Sequence, residues 1–336
     1  MVIMKSVLVT GGAGYIGSHT CKALAVSGME PVCFDDLSGG KAALVRWGPL
    51  VVGDLRDTDT LVATIKRHAI DAVIHFAGRI AVGESVAAPW LHYGSNVAGS
   101  LSLLEAMRVT DVRRMVFSSS AAVYGLPDAL RVSEDMALQP ISPYGRSKLM
   151  IELALRDYAA ASGLRAIALR YFNAAGADPD GESGELHEPE THLIPLALAA
   201  LDGSGPLKVF GDDYDTPDGT CIRDYVHVSD LADAHVRALA ALDSGDAPAA
   251  LNVGSGRGYS VREVLAAIQQ VVGRPVPVEV GQRREGDPAR LVADAQRIQQ
   301  VLGWSPQHSS LPDIIASAWA WHQRGTNQAR QDVGVA

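Results

Sequence analysis

Residues 142–148 read SPYGRSK, and within them Tyr144 and Lys148 stand four apart at the start of a strongly helical stretch. On a helix that spacing lays two side chains over one another on the same face. Taken alone, a phenol beside an ammonium is an ordinary surface pair. In a cleft it is a base, because a nearby positive charge favours the phenolate. A free tyrosine titrates near 10, so holding it close to deprotonation at neutral pH takes about 4 kcal/mol. The run SSSAAVYG, residues 118–125, offers Ser119 and Ser120 as hydroxyls that can bridge a substrate and Tyr144.

A second constellation changes the odds. Residues 10–17, TGGAGYIG, space Gly11, Gly14 and Gly17 as G-x-x-G-x-x-G directly after an apolar run. The first glycine permits a tight turn, the second lets backbone approach a pyrophosphate, and the third allows close helix–strand packing. The helix N-terminus then faces the phosphates. A glycine motif alone is weak, but Asp35 follows 18 residues beyond Gly17 at the end of the next apolar run. A carboxylate there accepts hydrogen bonds from the adenosine ribose and repels a 2′-phosphate. Asp36 adds negative charge and the nearest base is Lys41, so the pattern points to NAD rather than NADP. The positive ring of oxidised NAD would add to the pull of Lys148 on the Tyr144 proton.

These residues need a frame. The β-branched runs SVLVT, PVCFD, LVVGD, AVIHFAG, RRMVFSSS and RAIALRYFN alternate with helical patterns at 19–27, 59–68 and 95–109. Apolar strands alternating with helices predict an α/β fold with a doubly wound parallel sheet. At 336 residues and 47% apolar composition the chain exceeds one ordinary domain. Residues 174–191 are polar and rich in Gly, Pro and acids, which predicts a long loop of the functional or linking kind. A smaller mixed region follows. The expected division is a first domain over 1–175 and a second over 176–326, with parts of 221–250 returning to the first. The polar stretch GTNQARQDVGVA is expected to fray, leaving a tail at 327–336.

Composition narrows the partners. A net charge of −9 argues against nucleic acid or an anionic membrane. No run approaches the ~18 apolar residues of a membrane span, and the N-terminus lacks the basic region of a signal peptide. Cys21, Cys33 and Cys221 are odd in number and lack CxxC spacing, so they read as reduced, in a cytoplasmic protein. No metal is expected: His75 and His192 lack partners at metal spacing and read as structural or lining residues. The acidic run DDYDTPDG departs from a calcium loop at Pro217 and Asp218 and reads as a solvated loop.

TGGAGYIG, FSSSAAVYG and PYGRSK together resemble the extended short-chain dehydrogenase/reductase family. More narrowly, HFAGRIAVGESV (75–86), RYFNAAGADPDG (170–181), HLIP (192–195), FGDDYDTPDGTCIRDYVHVSDLADAHV (210–236) and RREGDP (283–288) resemble the UDP-glucose 4-epimerase family. The likeness runs from the first strand to about Trp321. It implies a Rossmann domain that keeps NAD tightly bound, a small mixed α/β domain for a UDP-sugar, and reversible 4-epimerisation of UDP-hexoses. In that chemistry Tyr144 takes the proton of the sugar 4-hydroxyl while hydride passes to NAD and returns to the opposite face. Ser120 orders or relays the proton, and Lys148 tunes Tyr144 and holds the nicotinamide ribose. The cofactor set so implied is Gly11, Gly14, Tyr15, Ile16, Gly17, Asp35, Asp36, Asp54, Leu55, Phe76, Ala77, Gly78, Asn96, Ser118, Tyr144, Lys148 and Tyr171. The substrate set is Ser120, Tyr144, Asn173, His192, Leu193, Lys208, Val209, Phe210, Arg223, Arg284, Asp287 and Leu291. Within it Asn173, Arg223 and Arg284 serve the pyrophosphate and Asp287 the uridine ribose. Arginine suits this work because its planar fork binds two phosphate oxygens at once. The bland alternative for Arg223 is an ion pair with Asp224 or Asp230.

Two positions depart from the family pattern. Ile80 stands where the family often has a cofactor-reaching Lys, with Arg79 one residue earlier as a replacement, and Asp36 stands where it has Asn. The related 4,6-dehydratases carry an Asp-Glu pair beside the serine, but Ala121 and Ala122 follow Ser120 here. A redox-sensing NAD-binding regulator would tend to lack the Tyr-Lys pair. A homodimer is expected, because the helix after Tyr144 carries two apolar stripes: Leu149, Met150, Leu153, Ala154 and Ile151, Leu155, Ala159. One stripe covers the sheet and the other, with Val97, Leu101 and Leu104 of a second helix, is left for a partner. The resemblance also places Leu291 against the hexose, where a Tyr would exclude N-acetyl groups; a one-residue slip would bring Arg290 there instead.

Overall fold

The computed structural model describes residues 5–243, 248–284 and 286–333. Its centre is a seven-stranded parallel sheet in the spatial order Ala250–Val253, Arg165–Tyr171, Arg114–Ser120, Ile70–His75, Ser6–Thr10, Glu30–Asp35, Leu50–Val52. Both faces are covered, which is why these strands read as unbroken apolar runs. Successive side chains point to opposite faces. Val7, Val9, Ile74, Val116 and Ile167 pack with Leu24 of helix Tyr15–Val26 and Leu231 of helix Val228–Ala241. On the other face Leu8, Val73, Met115 and Phe117 pack with Leu61, Leu103, Ile151 and Leu155 of helices Thr58–Arg67, Gly99–Val109 and Pro143–Ser162. The chain winds outward from Ser6–Thr10 in one direction, then crosses to pair Ile70–His75 on the other side. The crevice at that switch point, beyond the carboxyl ends of the strands, is where such sheets bind ligands.

A smaller unit carries a four-stranded sheet of Asn173–Ala175, Ile222–His227, Gly258–Ser260 and Arg290–Leu291, and a separate pair, Leu207–Phe210 with Val278–Gly281. Helices Leu193–Leu201, Val261–Val272 and Leu311–Val333 close over Ile194, Leu198, Val264, Ile268, Ile314 and Ile315. The chain then returns to the first sheet. Helix Val228–Ala241 packs on Tyr15–Val26, and Ala250–Val253 adds the outermost strand. Residues 244–247, within that expected return, and Glu285 of the RREGDP motif lie outside the described residues.

Three sequence expectations change. Helix Leu311–Val333 runs through the stretch expected to fray. Buried Ile314 and Ile315 anchor its start, and Gln, Ala and Arg are good helix formers that propagate it; residues 334–336 lie outside the described residues. The expected helix at 95–109 opens as a π turn, Tyr93–Ala98, a device common at functional sites. The apolar stripes also sort differently. Ile151 and Leu155 cover the sheet as expected, and Met150, Leu153 and Leu101 stand exposed, but Leu104 is buried in the core and Ala159 faces outward.

Cys21 and Cys33 are buried, Cys221 is half-buried, and none is bonded. Among the described residues no helix is long and apolar enough to cross a membrane. In the DDYDTPDG run Asp212, Asp213 and Asp215 are exposed, while Asp218 accepts from Thr220 N at 2.9 Å.

Candidate active site

Ser142 starts the helix that carries the Tyr-Lys pair. Its hydroxyl accepts from Gly145 N at 3.1 Å, and Pro143 supplies the first helical φ. Gly145 lets this helix lie against the end of strand Arg114–Ser120, because a Cβ there would stand 2.5 Å from Ala122 O. Tyr144, 9% exposed, is thereby brought beside Ser120. Lys148, 3% exposed, donates from Nζ to Ser118 O at 2.8 Å, with Nζ 5.8 Å from the Tyr144 ring centroid.

The electrostatics correct the expectation for Tyr144. Burial raises its phenol above the ordinary value, and the group that pulls it back is the Ser120 hydroxyl. The ammonium one turn away is aimed at a backbone carbonyl instead. Burial also lowers Lys148 to about 8, while the Glu152 carboxylate, a further turn along, works to keep it charged.

Glu152 belongs to a buried network that sequence reasoning passed over. It accepts from Ser119 Oγ at 2.6 Å and pairs with Arg170, whose other nitrogen donates to Tyr124 OH at 2.9 Å. Tyr124 in turn donates to Asn252 Oδ1 at 2.7 Å. The network braces the strand ends that hold Ser118, Ser119 and Ser120. Its one sequence signal was the Lys148-x-x-x-Glu152 spacing inside a helix.

The glycine turn fits a dinucleotide. Gly14 caps helix Tyr15–Val26 with no side-chain hydrogen bond and no acid follows in the first turn, so the first N–H groups stay free for phosphate. A Cβ on Gly14 would meet only Gly11 O, at 3.2 Å, and open space, whereas one on Gly17 would stand 2.1 Å from Gly11 O. Asp35 is buried beside the turn and accepts from Ala13 N at 3.0 Å and Leu37 N at 2.9 Å. Burial raises its carboxyl and those two N–H groups oppose the rise. Asp36 is exposed and accepts from Ser38.

The remaining cofactor-set residues have other partners. Ala77 N bonds Thr10 O at 3.1 Å, and the Phe76 ring lies 4.6 Å from that of His235, tilted at 47°. Asn96, from the π turn, accepts from Arg79 N at 2.8 Å beneath Gly78. Ser118 Oγ is hydrogen-bonded to Tyr171 OH. Ile16 packs against the core, Asp54 is paired with Arg56, and Leu55 lies under Gly99. Tyr15 is buried and donates to Gly176 O at 2.6 Å, tying this helix to the long loop. The Arg79 guanidinium pairs with Glu84, and Ile80 is exposed. His75 bonds Thr10 Oγ1 at 2.6 Å and Ser100 Oγ at 2.8 Å, a structural role as expected.

The small sheet gathers much of the substrate set. Leu291 sits opposite Arg223, and Asn173, opposite Tyr225, donates to Asp224 O at 2.9 Å. Arg223 pairs with Asp287, not with Asp224 or Asp230. Asp224 is fully buried and takes the N–H groups of Ser255, Gly256 and Ala293. Asp230 takes those of Gln307 and His308. The Arg284 guanidinium lies 3.7 Å from the Phe210 ring centroid and Lys208 Nζ 5.4 Å from it. The Val209 side chain is buried in the core of the small unit. Leu193 opens helix Leu193–Leu201, and Leu291 packs on Ala121, Val123, Tyr124 and Val132.

His192 is the second correction. It does have partners: the loop brings it together with Glu185, His187 and Glu190. Burial lowers its basicity, but the two carboxylates outweigh this and raise it to about 10. The signal lay in the order E-x-H-x-x-E-x-H at 185–192, hidden by its placement on a loop.

Residues 7–254 match the model of the NAD dependent epimerase/dehydratase family. A UDP-glucose 4-epimerase of Rhizobium meliloti (strain 1021) is 53% identical over 321 residues, 95% of this chain and 98% of that protein. The crystal structure of UDP-glucose 4-epimerase from Brucella ovis in complex with NAD is 52% identical with a TM-score of 0.92, covering 94% of this chain and 98% of that one. That of Bifidobacterium longum, in complex with NAD+ and UDP, is 38% identical with a TM-score of 0.90, covering 96% and 99%. The chain belongs to the NAD dependent epimerase/dehydratase family and groups with its UDP-glucose 4-epimerases.

Proposed function

We propose that this protein is an NAD-dependent enzyme that interconverts UDP-glucose and UDP-galactose by inverting C4 of the sugar. The observation that carries the reading is buried Tyr144 beside Ser120, with Lys148 held on Ser118 O one turn along the same helix. NAD, when bound, supplies reversible hydride acceptance at C4. The chain's own residues move the proton and hold the substrate. Tyr144 takes the 4-hydroxyl proton through its phenolic oxygen and gives it back on the opposite face. Ser120, its own oxygen fixed by Ala122 N at 3.2 Å, steadies the phenolate. Lys148 contributes positive charge and a donor for the cofactor ribose. Asp35 takes the adenosine ribose.

The first unit thus serves NAD and the second the UDP-sugar. Asn173, Arg223 and Arg284 take the pyrophosphate and Asp287 the uridine ribose, so the Arg223–Asp287 pair opens to admit the nucleotide. Anchoring through UDP leaves the hexose free to present either face. Elimination of water has no catalyst beside Ser120, where Ala121 and Ala122 sit in a short 3₁₀ turn. Exposed Met150, Leu153 and Leu101 support a homodimer built on helices Gly99–Val109 and Pro143–Ser162, and the unpaired cysteines support a cytoplasmic setting.

The test is incubation of purified protein with UDP-galactose, UDP-N-acetylgalactosamine and UDP-xylose, with products separated. Formation of UDP-glucose as the main product is expected. An inert UDP-galactose, or a dehydrated keto-sugar, overturns the reading.

A further inference from the structure

Residues 185–192 place the ligand atoms of Glu185, His187, Glu190 and His192 within 4.8 Å of one another. Glu185 Oε1 lies 2.6 Å from His192 Nδ1 and 2.9 Å from His187 Nδ1, and the two Glu190 oxygens lie 3.2 and 3.9 Å from the same nitrogens. Hydrogen bonding explains only part of this. His192 Nδ1 is enclosed and makes no well-directed hydrogen bond, although two carboxylate oxygens stand within 3.2 Å. Glu190 is fixed in place, since Oε1 accepts from Thr191 N at 2.6 Å and His192 N at 2.8 Å.

The neighbouring acidic cluster offers a contrast. Asp178, Asp180 and Glu182 surround Lys22 Nζ at 2.9, 2.7 and 2.8 Å, so that cluster already holds its cation. Among the described residues no lysine or arginine pairs with Glu185 or Glu190. Their carboxylates lie largely out of water, at 7% and 20% side-chain exposure.

We propose that Glu185, His187, Glu190 and His192 bind one divalent transition-metal ion, with zinc the best match. Two imidazole nitrogens and two carboxylate oxygens are a zinc donor set, whereas calcium and magnesium take oxygen. Tetrahedral zinc with ligands at about 2.0–2.2 Å separates them by about 3.3 Å, within the observed spread. Four protein ligands close the shell, so the ion is structural. It pins the long loop near the cofactor turn: the His187 ring stands edge-on to Tyr15 at 6.1 Å, and Tyr15 is bonded to Gly176 of the same loop. The competing account is a proton-held cluster of imidazolium and carboxylate that ignores metal.

Zinc content separates the two. Untagged full-length protein is stripped with a chelator, equilibrated with zinc sulfate, desalted and assayed for metal. One zinc per chain is expected, falling below about a tenth in the His187→Ala/His192→Ala double variant. Equal zinc in both, or none in the wild type, overturns the site. Should the variant not fold, the wild-type protein loaded with cobalt(II) answers alone. Tetrahedral cobalt gives strong visible absorption that one equivalent of zinc abolishes; its absence overturns the proposal.

Discussion

Glu152 grips Arg170 through two parallel hydrogen bonds, Nε to Oε1 at 2.9 Å and an end nitrogen to Oε2 at 2.6 Å, with neither side chain more than 3% exposed. Such a pair is weak evidence for net stabilisation, yet removing one partner strands a buried charge at a cost of about 3–5 kcal/mol. Glu152→Gln should therefore lower unfolding stability by about 3 kcal/mol in a denaturant titration. A loss under about 0.5 kcal/mol would mean that the Arg170 charge finds water or another partner.

Tyr144→Phe should lose at least about 2–4 kcal/mol of transition-state stabilisation and keep its NAD and UDP. The ring still fills its buried site and only the hydroxyl beside Ser120 is removed. Near-normal turnover with UDP-galactose would remove Tyr144 as the base.

Lys148 sets a pH limit. Burial lowers its ammonium to about 8, so above that pH it sheds the charge and the donor proposed for the cofactor ribose. kcat/KM should fall on the alkaline side with a midpoint near 8, and Lys148→Arg, which stays charged, should lose that limb. Stability runs the other way. Between about 8 and the ordinary lysine value of about 10.4 the unfolded chain binds more protons than the folded one, so stability rises with pH across that window. Wild type should gain on Lys148→Met between those limits in denaturant titrations. A constant difference would place the titration elsewhere.

What was legible in the sequence was local. The glycine turn, Asp35 and the Tyr144–Lys148 spacing are short patterns whose geometry follows from one strand end or one helix turn, and the apolar runs reported the doubly wound sheet directly. Pairings across the fold were not. Glu152 and Arg170 share no local pattern and meet only because adjacent elements bring them together, and helical spacing placed Lys148 near Tyr144 without revealing that it would donate its hydrogen bond to Ser118 O. His192 shows the same limit on a shorter scale, because a loop has no fixed period from which to infer that four side chains converge.

The proposed dimer rests on exposed apolar surface at Leu101, Met150 and Leu153, each more than 40% exposed on neighbouring helices. Patches of this kind on paired helices mark association surfaces. Light scattering at micromolar concentration should give twice the chain mass, and Leu153→Glu should give the monomer with its helix content intact. A monomeric wild type would refute the surface.

We propose that substrate width turns on Leu291. It stands opposite Arg223 on the small sheet and packs against the apolar cluster that begins at Ala121, one residue beyond Ser120. This places it between the proposed pyrophosphate anchor and the proposed proton relay, the span that a hexose must fill. Leucine is smaller than tyrosine and carries no hydroxyl, so it leaves room beside the sugar. An apolar wall of this kind discriminates by only about 1–3 kcal/mol for a methylene-sized difference. UDP-glucose and UDP-galactose should be the main pair, with slower but measurable turnover of the N-acetyl sugars. Leu291→Tyr should depress the N-acetyl activity roughly 10-fold or more and spare the other, because the added ring fills the space an acetamide needs. The two activities are compared as a ratio on the same preparation, so a partly folded variant does not confuse the outcome. An unchanged ratio would leave Leu291 as core packing and move the gate to another residue.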